Sequence, residues 1–401
     1  MITRCSVVFF SSALLIFSAA VDPGYSQSLD IYCIEVGLDD APPDTNAQGD
    51  STLILSPDGS TRVLIDGGMG KENGADSVLA CLSRVIPTGG LTAMIATHWD
   101  ADHYQGLSDI ADNVATGMQY MPTTIYDLGD IGSDPSWTYK TTFEGRRVTP
   151  TVGTTLDLGG GCSIRFVTIN GNILGGGFKD PVVNGEDVSN ARSIGVVVRY
   201  GGFDYLTCGD LEGVDLSDPY YYVNTEGPLG AALAAEGTHI DVLHANHHGS
   251  SLSTISAFVS AIGPEYAVIS CGDGNTYEHP TQSVINRLSG LSQIYLLEQG
   301  TPRTGSNITI VGNGNMPGYP GDPTEQGSLH ISVSDGGRRF TFSNEGPNTN
   351  GFIDGPYDSS ELTRVNFQPA ASSTPSGYYK DSGAAYSSHA GPNGALSYGW
   401  R

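Results

Sequence analysis

His98-Trp-Asp100-Ala-Asp102-His103 places four candidate metal ligands within six residues, directly behind the apolar run Leu91-Thr-Ala-Met-Ile-Ala-Thr97. A buried strand ending in ligands at every second position throws the side chains of 98, 100 and 102 to one side. A turn after Asp102 brings His103 back beside them. Oxygen and imidazole donors without thiolate suit zinc, manganese or iron, and a cysteine-free cluster is unlike a structural zinc staple. The stretch therefore reads as a catalytic metal cradle, against the plainer alternative of a polar loop with solvated histidines and capping aspartates.

Three further clusters follow at the ends of apolar runs. Thr207-Cys-Gly-Asp210 closes the strand-like run Ser193 to Leu206, and an aspartate after a tight glycine can bridge two cations. Asn246-His247-His248-Gly-Ser250 closes Ile240 to Ala245 and supplies adjacent imidazoles pointing in different directions. Tyr277-Glu-His279-Pro280 follows Tyr266 to Ser270 and a loop with Gly272, Gly274 and Asn275. His244 sits inside an apolar strand pattern and reads as structural, as does His239. His330 and His389 fall outside the motif set and read as surface residues.

The order HxDxDH, GD, HHGS and N-x-Y-x-HP resembles the metallo-β-lactamase fold family, and within it the hydrolase branch of ComEC-type DNA-uptake proteins and phosphorylcholine esterase. The resemblance covers residues 29 to 312. Ile34-Glu-Val-Gly37 and Gln48-Gly-Asp-Ser51 are similar to the two halves of the family's V-G-Q-G-D-S segment, split here by Leu38 to Ala47, and Leu64-Ile-Asp66-Gly-Gly68 is similar to its L-I-D-G-G strand end. Several ordered motifs are far more specific than any one of them.

The resemblance implies a four-layer αββα sandwich with Asp102, His103, Asp210 and His248 around one metal ion. Asp210 would bridge to a second ion held by His98 and Asp100. His247 would face the substrate's leaving group or phosphate, and Asp66 would orient ligands by hydrogen bonds. The family's usual pattern has histidine where this chain has Asp100, and a further histidine before the bridging aspartate, whereas no histidine lies between His103 and His239. The second site is therefore expected to be the weaker, with Asn190 or Ser193 as supplementary donors. The ComEC-like branch shares that departure.

Zinc, two ions, is the expected cofactor, with manganese or iron as substitutes. A divalent ion lowers the pKa of bound water from about 16 to near 7, and a second ion about 3.5–4 Å away polarises the group attacked. Catalytic roles then fall to Asp102, His247 and His279, the imidazoles being able to donate a proton to a leaving oxygen near neutral pH. The expected function is a secreted hydrolase of a phosphoester. A carboxyl-ester or lactone hydrolase is the alternative, and a non-catalytic sensing module that keeps the fold is a third reading.

The start of the chain, Met1-Ile-Thr-Arg4 and then an apolar segment ending in small residues near Ala20, has the pattern of a secretory signal over residues 1–27. No later stretch approaches the length of a membrane span. Of six cysteines one, Cys5, lies in that segment, leaving an odd five whose pairing spacing does not reveal. A net charge of −25, from 18 basic and 43 acidic residues, repels polyanions and weighs against nucleic acid as partner, leaving a small-molecule substrate such as a phosphodiester. Residues 28–344 read as the hydrolase domain, with a helix from Ala75 to Val85, helices from Thr254 to Ile262 and Thr281 to Leu288, and a hairpin of Ser328 to Val333 with Arg338 to Phe342. The segment Tyr126 to Tyr139 reads as an active-site loop carrying Trp137. Residues 345–401, rich in Gly, Ser, Pro and Tyr, read as a flexible tail.

Overall fold

The computed structural model describes residues 27–36, 49–70, 74–88, 90–113, 117, 119–131, 135–183, 186–213, 223–272, 275–311, 328–346 and 352–359, and the backbone of 365–367, 379–381, 387–391 and 394–398. The signal-like segment and the insertion between the two halves of the glycine-rich motif lie outside these residues. Within them the chain builds two mixed sheets.

The first sheet begins with β1 Leu29–Cys33, β2 Thr52–Leu55 and β3 Arg62–Ile65, an antiparallel meander. It continues in parallel through β4 Ala93–Ile95, β5 Thr124–Tyr126 and β6 Arg147–Val148. Helices α1 Ala75–Val85, α2 Ala101–Ala111 and α3 Trp137–Thr142 connect the parallel strands. They bury Val78, Leu82, Leu107, Ile110 and Tyr139 in one cluster with Leu64, Met94, Ile95 and Ile125.

The second sheet starts with β7 Thr155–Gly159, β8 Cys162–Ile169, β9 Asn172–Ile173 and β10 Gly177–Phe178. After a small ribbon, β11 Val182–Val183 with β12 Glu186–Asp187, it resumes in the hairpin β13 Gly195–Tyr200 and β14 Phe203–Thr207. The apolar run Ser193 to Leu206 is not one strand, because Gly201, at φ 58°, turns it back on itself. Parallel strands β15 Val242–His244, β16 Tyr266–Ile269, β17 Gln293–Leu296 and β18 Ile308–Ile310 complete the sheet. Helices α4 Glu226–Ala235, α5 Ser256–Ile262 and α6 Gln282–Leu288 cover its outer face.

The period-two alternation of strands assigns the layers. Tyr205, Val242, Val268 and Tyr295 join the cluster that contains Ile31, Leu53 and Phe342 of the first sheet. Their neighbours Leu206, Leu243, Ile269 and Leu296 face Leu229, Leu233, Phe258, Ile262 and Leu288 of the second helix layer. Fully burying each such aliphatic or aromatic side chain stabilises the fold by about 1.5–3 kcal/mol. The product is the αββα sandwich expected from the motifs.

The expected hairpin forms as β19 Ser328–Ser334 and β20 Arg339–Glu345, and β19 pairs with β1, so a strand from the far end of the domain closes the first sheet. β21 Ile353–Asp358 extends that sheet beyond β20, inside the stretch the sequence assigned to a flexible tail. Short strands beyond it pair two by two, Val365–Phe367 with Tyr379–Asp381 and Ser387–Gly391 with Gly394–Tyr398. No disulfide links the five described cysteines. Among the described residues no helix is long and apolar enough to cross a membrane.

Candidate metal centre

Ligands gather where the strands of both sheets end, the position at which open α/β sheets place their sites. Asp66 follows β3, His98 follows β4, Asp210 follows β14, and His247 and His248 follow β15. The sequence pattern carries the strand alternation through Asp102 with a turn after it; instead Asp102 and His103 occupy the first turn of α2, with Asp100 at its N-cap. Asp100 is extended, at φ −79° and ψ 144°, its Oδ2 lies 3.6 Å from His98 Nε2, and the helix start swings 102 and 103 in beside them. Acidic groups at 100 and 102 also sit favourably against the positive end of the helix dipole.

Helix α2 is held tightly to the turn after β3. Gly67 N donates to His103 O at 2.8 Å and Gly106 N to Gly68 O at 3.0 Å. A Cβ on Gly106 would stand 2.0 Å from Gly67 O, so only glycine permits this approach. Across the cleft, His247 and His248 both hold left-handed backbone, at φ 52° and 51°, which costs a non-glycine residue about 1–3 kcal/mol and marks a conformation imposed by its surroundings.

Two sets of ligand atoms result. In the first, His103 Nε2 lies 3.1 Å from Asp210 Oδ1, 3.2 Å from His248 Nε2 and 4.0 Å from Asp102 Oδ2, while His248 Nε2 lies 3.4 Å from Asp102 Oδ2 and 3.5 Å from Asp210 Oδ1. In the second, His98 Nε2 lies 3.6 Å from Asp100 Oδ2 and 4.0 Å from Asp210 Oδ2, and His247 Nε2 lies 3.6 Å from that same Asp210 oxygen. Asp210 thus gives one oxygen to each set. All six metal-ligand candidates read from the sequence come together. His247, which the sequence assigned to the substrate, turns its Nε2 into the second set, where the sequence had expected Asn190 or Ser193 to help.

In three of these histidines the protein's own hydrogen bonds engage the other ring nitrogen, Nδ1. His103 donates from Nδ1 to Asp66 Oδ2 at 2.8 Å. Thr97 Oγ1 donates to Asp66 Oδ2 at 2.6 Å and so accepts from His98 Nδ1 at 3.1 Å. His248 Nδ1 donates to Ser270 O at 3.1 Å. Each Nε2 is then a lone-pair donor aimed into the cluster. His98 is 0% exposed and its Nε2 has no hydrogen-bond partner, nor has Asp210 Oδ1, at a residue 4% exposed. Orphaned buried polar atoms of this kind call for an ion.

Electrostatics agree. Burial alone would lower His103 and His248, but Asp210 and Asp102 outweigh it, raising His103 well above its ordinary value and pushing His248 up to about 9. Burial would raise Asp210, yet His103, His248 and His247 hold it well below the usual carboxylate range. Two imidazolium edges cannot face each other at 3.2 Å, whereas a cation between them lets both be neutral donors. The donor set of imidazole and carboxylate fits divalent zinc, manganese or iron.

A cavity of about 210 Å³ opens over the cluster, lined by Asp100, Asp102, Asp210, His247, His248 and His279, with Gly49, Cys271, Gly272, Asn275 and Tyr277 completing the wall. Asn275 holds the loop that carries the last of these, donating from Nδ2 to Gly272 O and His279 O and accepting from His279 N. Tyr277, 64% exposed, stacks on His279 at the mouth. The sequence motif gives Tyr277 no role of its own. Trp137, expected at the rim, begins α3, is 78% exposed and is not among the lining residues. The tryptophan that matters locally is Trp99, packed edge-on against Tyr104 and Tyr139 with the Arg147 guanidinium 5.9 Å from its ring, which pins the backbone between His98 and Asp100.

Two imidazole–carboxylate sets sharing one aspartate, at the strand ends of an αββα sandwich, define a metal-dependent hydrolase. The chain belongs to the metallo-beta-lactamase superfamily, which it matches over residues 44–273, more than half its length. It is 37% identical over 99 residues to Competence protein ComA of Neisseria gonorrhoeae, covering 25% of this chain and 13% of that protein. It is 32% identical over 99 residues to ComE operon protein 3 of Bacillus subtilis, covering 25% and 11%. The chain thus spans a small fraction of the length of these relatives. Among solved structures it is similar to the metallo-beta-lactamase fold protein YhfI from Bacillus subtilis, at 14% identity and a TM-score of 0.40, covering 69% of this chain and 98% of that one.

Proposed function

We propose that this protein is a secreted two-ion hydrolase, with zinc the favoured metal, that cleaves a small phosphoester. The observation that carries the reading is the split of Asp210, Oδ1 toward His103 and His248 and Oδ2 toward His98 and His247. Divalent ions at these sets would supply a water of lowered pKa and positive charge for the group being attacked. Asp102, His103, Asp210 and His248 would hold one ion, and His98, Asp100, Asp210 and His247 the other. Secretion is supported by the signal-like pattern of the first residues alone.

Among the described residues the lining contains no lysine or arginine, so they offer an anionic substrate three aspartates and three imidazoles. A phosphoester is bound only if cations reverse that sign. Burial, His248 and His247 push His279 down to about 3, and cations beside it act in the same direction. At neutral pH it is an uncharged imidazole that orients a substrate oxygen through its N–H, rather than the proton donor the sequence suggested. Tyr277 beside it offers a flat apolar surface to an organic leaving group.

Metal analysis of the purified chain should find two transition-metal ions per molecule and fewer than one after Asp210→Ala. Chromogenic phosphodiester, phosphomonoester and lactone substrates, each with zinc or manganese, then separate the chemistries. Turnover of the diester supports the proposal, and turnover of lactone alone replaces it with the carboxyl-ester reading. Full metal loading with no turnover of any substrate would favour a sensing module.

A further inference from the structure

Four histidines point Nε2 into the cluster, and three of them have Nδ1 committed to an acceptor already described: Asp66 for His103, Thr97 for His98 and Ser270 for His248. His247 is the fourth. Two side chains lie against its Nδ1, Asn190 Nδ2 at 3.5 Å and Glu212 Oε1 at 3.6 Å, and Asn190 Nδ2 itself donates to that same Glu212 oxygen at 3.1 Å. The amide NH2 could donate only to a bare Nδ1; when Nε2 is left free for an ion the proton sits on Nδ1, and of these two neighbours only the carboxylate can then take it.

Glu212 is placed for that task by backbone rather than by chance. It stands two residues beyond Asp210 and is 3% exposed, and its carbonyl accepts from Thr225 N at 2.9 Å and Glu226 N at 3.1 Å. Its Oε2 is buried without a hydrogen-bond partner. A buried carboxyl with spare acceptor capacity thus stands behind the His247 imidazole, at 3.6 Å, as Asp66 stands behind His103 at 2.8 Å.

We propose that Glu212 is a positioning residue for the second metal ion. It draws the His247 Nδ1–H onto Oε1, fixes the ring in the tautomer with a bare Nε2, and keeps that nitrogen beside Asp210 Oδ2. This role rests on the two-ion reading above. Carboxylate partners of ligand histidines are worth 10–100-fold in metal affinity, so losing Glu212 weakens one ion and spares the other.

Titration of the metal-free full chain with Co(II) alone, read by visible absorption and by heat, tests this. The wild type should take up cobalt in two steps. Glu212→Ala should keep the first step at wild-type affinity and weaken the second about 10–100-fold, and Glu212→Gln, which retains an acceptor oxygen, should fall between. Two unchanged steps in Glu212→Ala overturn the role while the two-ion reading stands; no cobalt uptake by the wild type overturns both. Nitrogen-15 NMR of the wild-type histidines gives an answer even if Glu212→Ala fails to fold. His247 should show a protonated Nδ1, and a bare Nδ1 with a protonated Nε2 in the metal-free protein would overturn the proposal.

Discussion

Asp66 is the residue on which both ligand sets depend, although it coordinates nothing itself. Its Oδ2 takes the His103 Nδ1–H and the Thr97 hydroxyl, which in turn takes the His98 Nδ1–H, while Oδ1 accepts from Thr97 N at 2.8 Å. One carboxylate therefore fixes the tautomer of a histidine in each set. Asp66→Asn keeps the size and tolerates the left-handed backbone at φ 55°, but turns an amide donor toward groups that are already donating. Weaker binding of both ions is expected, about 10–100-fold each, in contrast to the one-sided loss expected at Glu212. Equal cobalt titrations for Asp66→Asn and wild type would show that the hydrogen bonds do not govern the ligands. The candidate ligands were legible because chemistry restricts such groups to a few residue types at strand ends. Glu212 was not, because a carboxylate two residues past another one carries no periodic or spacing signal, and only the fold turns it toward His247.

At the scale of elements, α1 runs over the residues its pattern predicts, Ala75–Val85. α2 was hidden because its first turn is made of ligands, although Asp100 at the N-cap and the buried Leu107, Ile110 and Ala111 are ordinary helix signals. β21 was hidden by the Gly355-Pro356 pair inside it, which reads as a turn but is tolerated on the sheet's edge. α4 went unread too, and its first residue ties the histidine loop down. Glu226 accepts from Asn246 Nδ2 at 2.7 Å, Thr254 N at 2.5 Å and Ile255 N at 2.8 Å. Burial nevertheless outweighs those donors and pushes its carboxyl up to about 7 from an ordinary 4.5. Because the folded value exceeds the unfolded one, its stabilising contribution is complete below about pH 4.5 and is lost as pH rises through about 7, an effect of about 3 kcal/mol at 1.36 kcal/mol per unit. Denaturant unfolding with chelator present should show wild type losing about that much relative to Glu226→Gln between pH 4.5 and 8. A difference that stays flat with pH would mean that the three donors keep Glu226 ionised throughout.

For the molecule as a whole, the decisive quantity is charge. A net charge of −25 surrounds a cavity whose described wall is acidic, so under the proposed function an anionic substrate would be repelled at long range and attracted only within reach of bound ions. The two ranges separate by screening, since the Debye length shrinks from about 30 Å at 0.01 M salt to about 10 Å at 0.1 M. Screening removes the distant repulsion first and leaves the contact with metal almost intact. For a small anionic diester, kcat/KM should therefore rise several-fold over that interval, within the ~10-fold or greater effects that surface fields exert on association, while a neutral lactone or acetate ester should show no trend. Nucleic acid magnifies the effect, because a polyanion meets the whole surface and forms its contacts through lysine and arginine, which the described lining residues do not include. Duplex DNA should accordingly neither bind at 0.05 M salt nor compete with the diester. Should kcat/KM for the diester fall as salt is added, the field at the site is attractive from afar, and the exclusion of nucleic acid falls with that result.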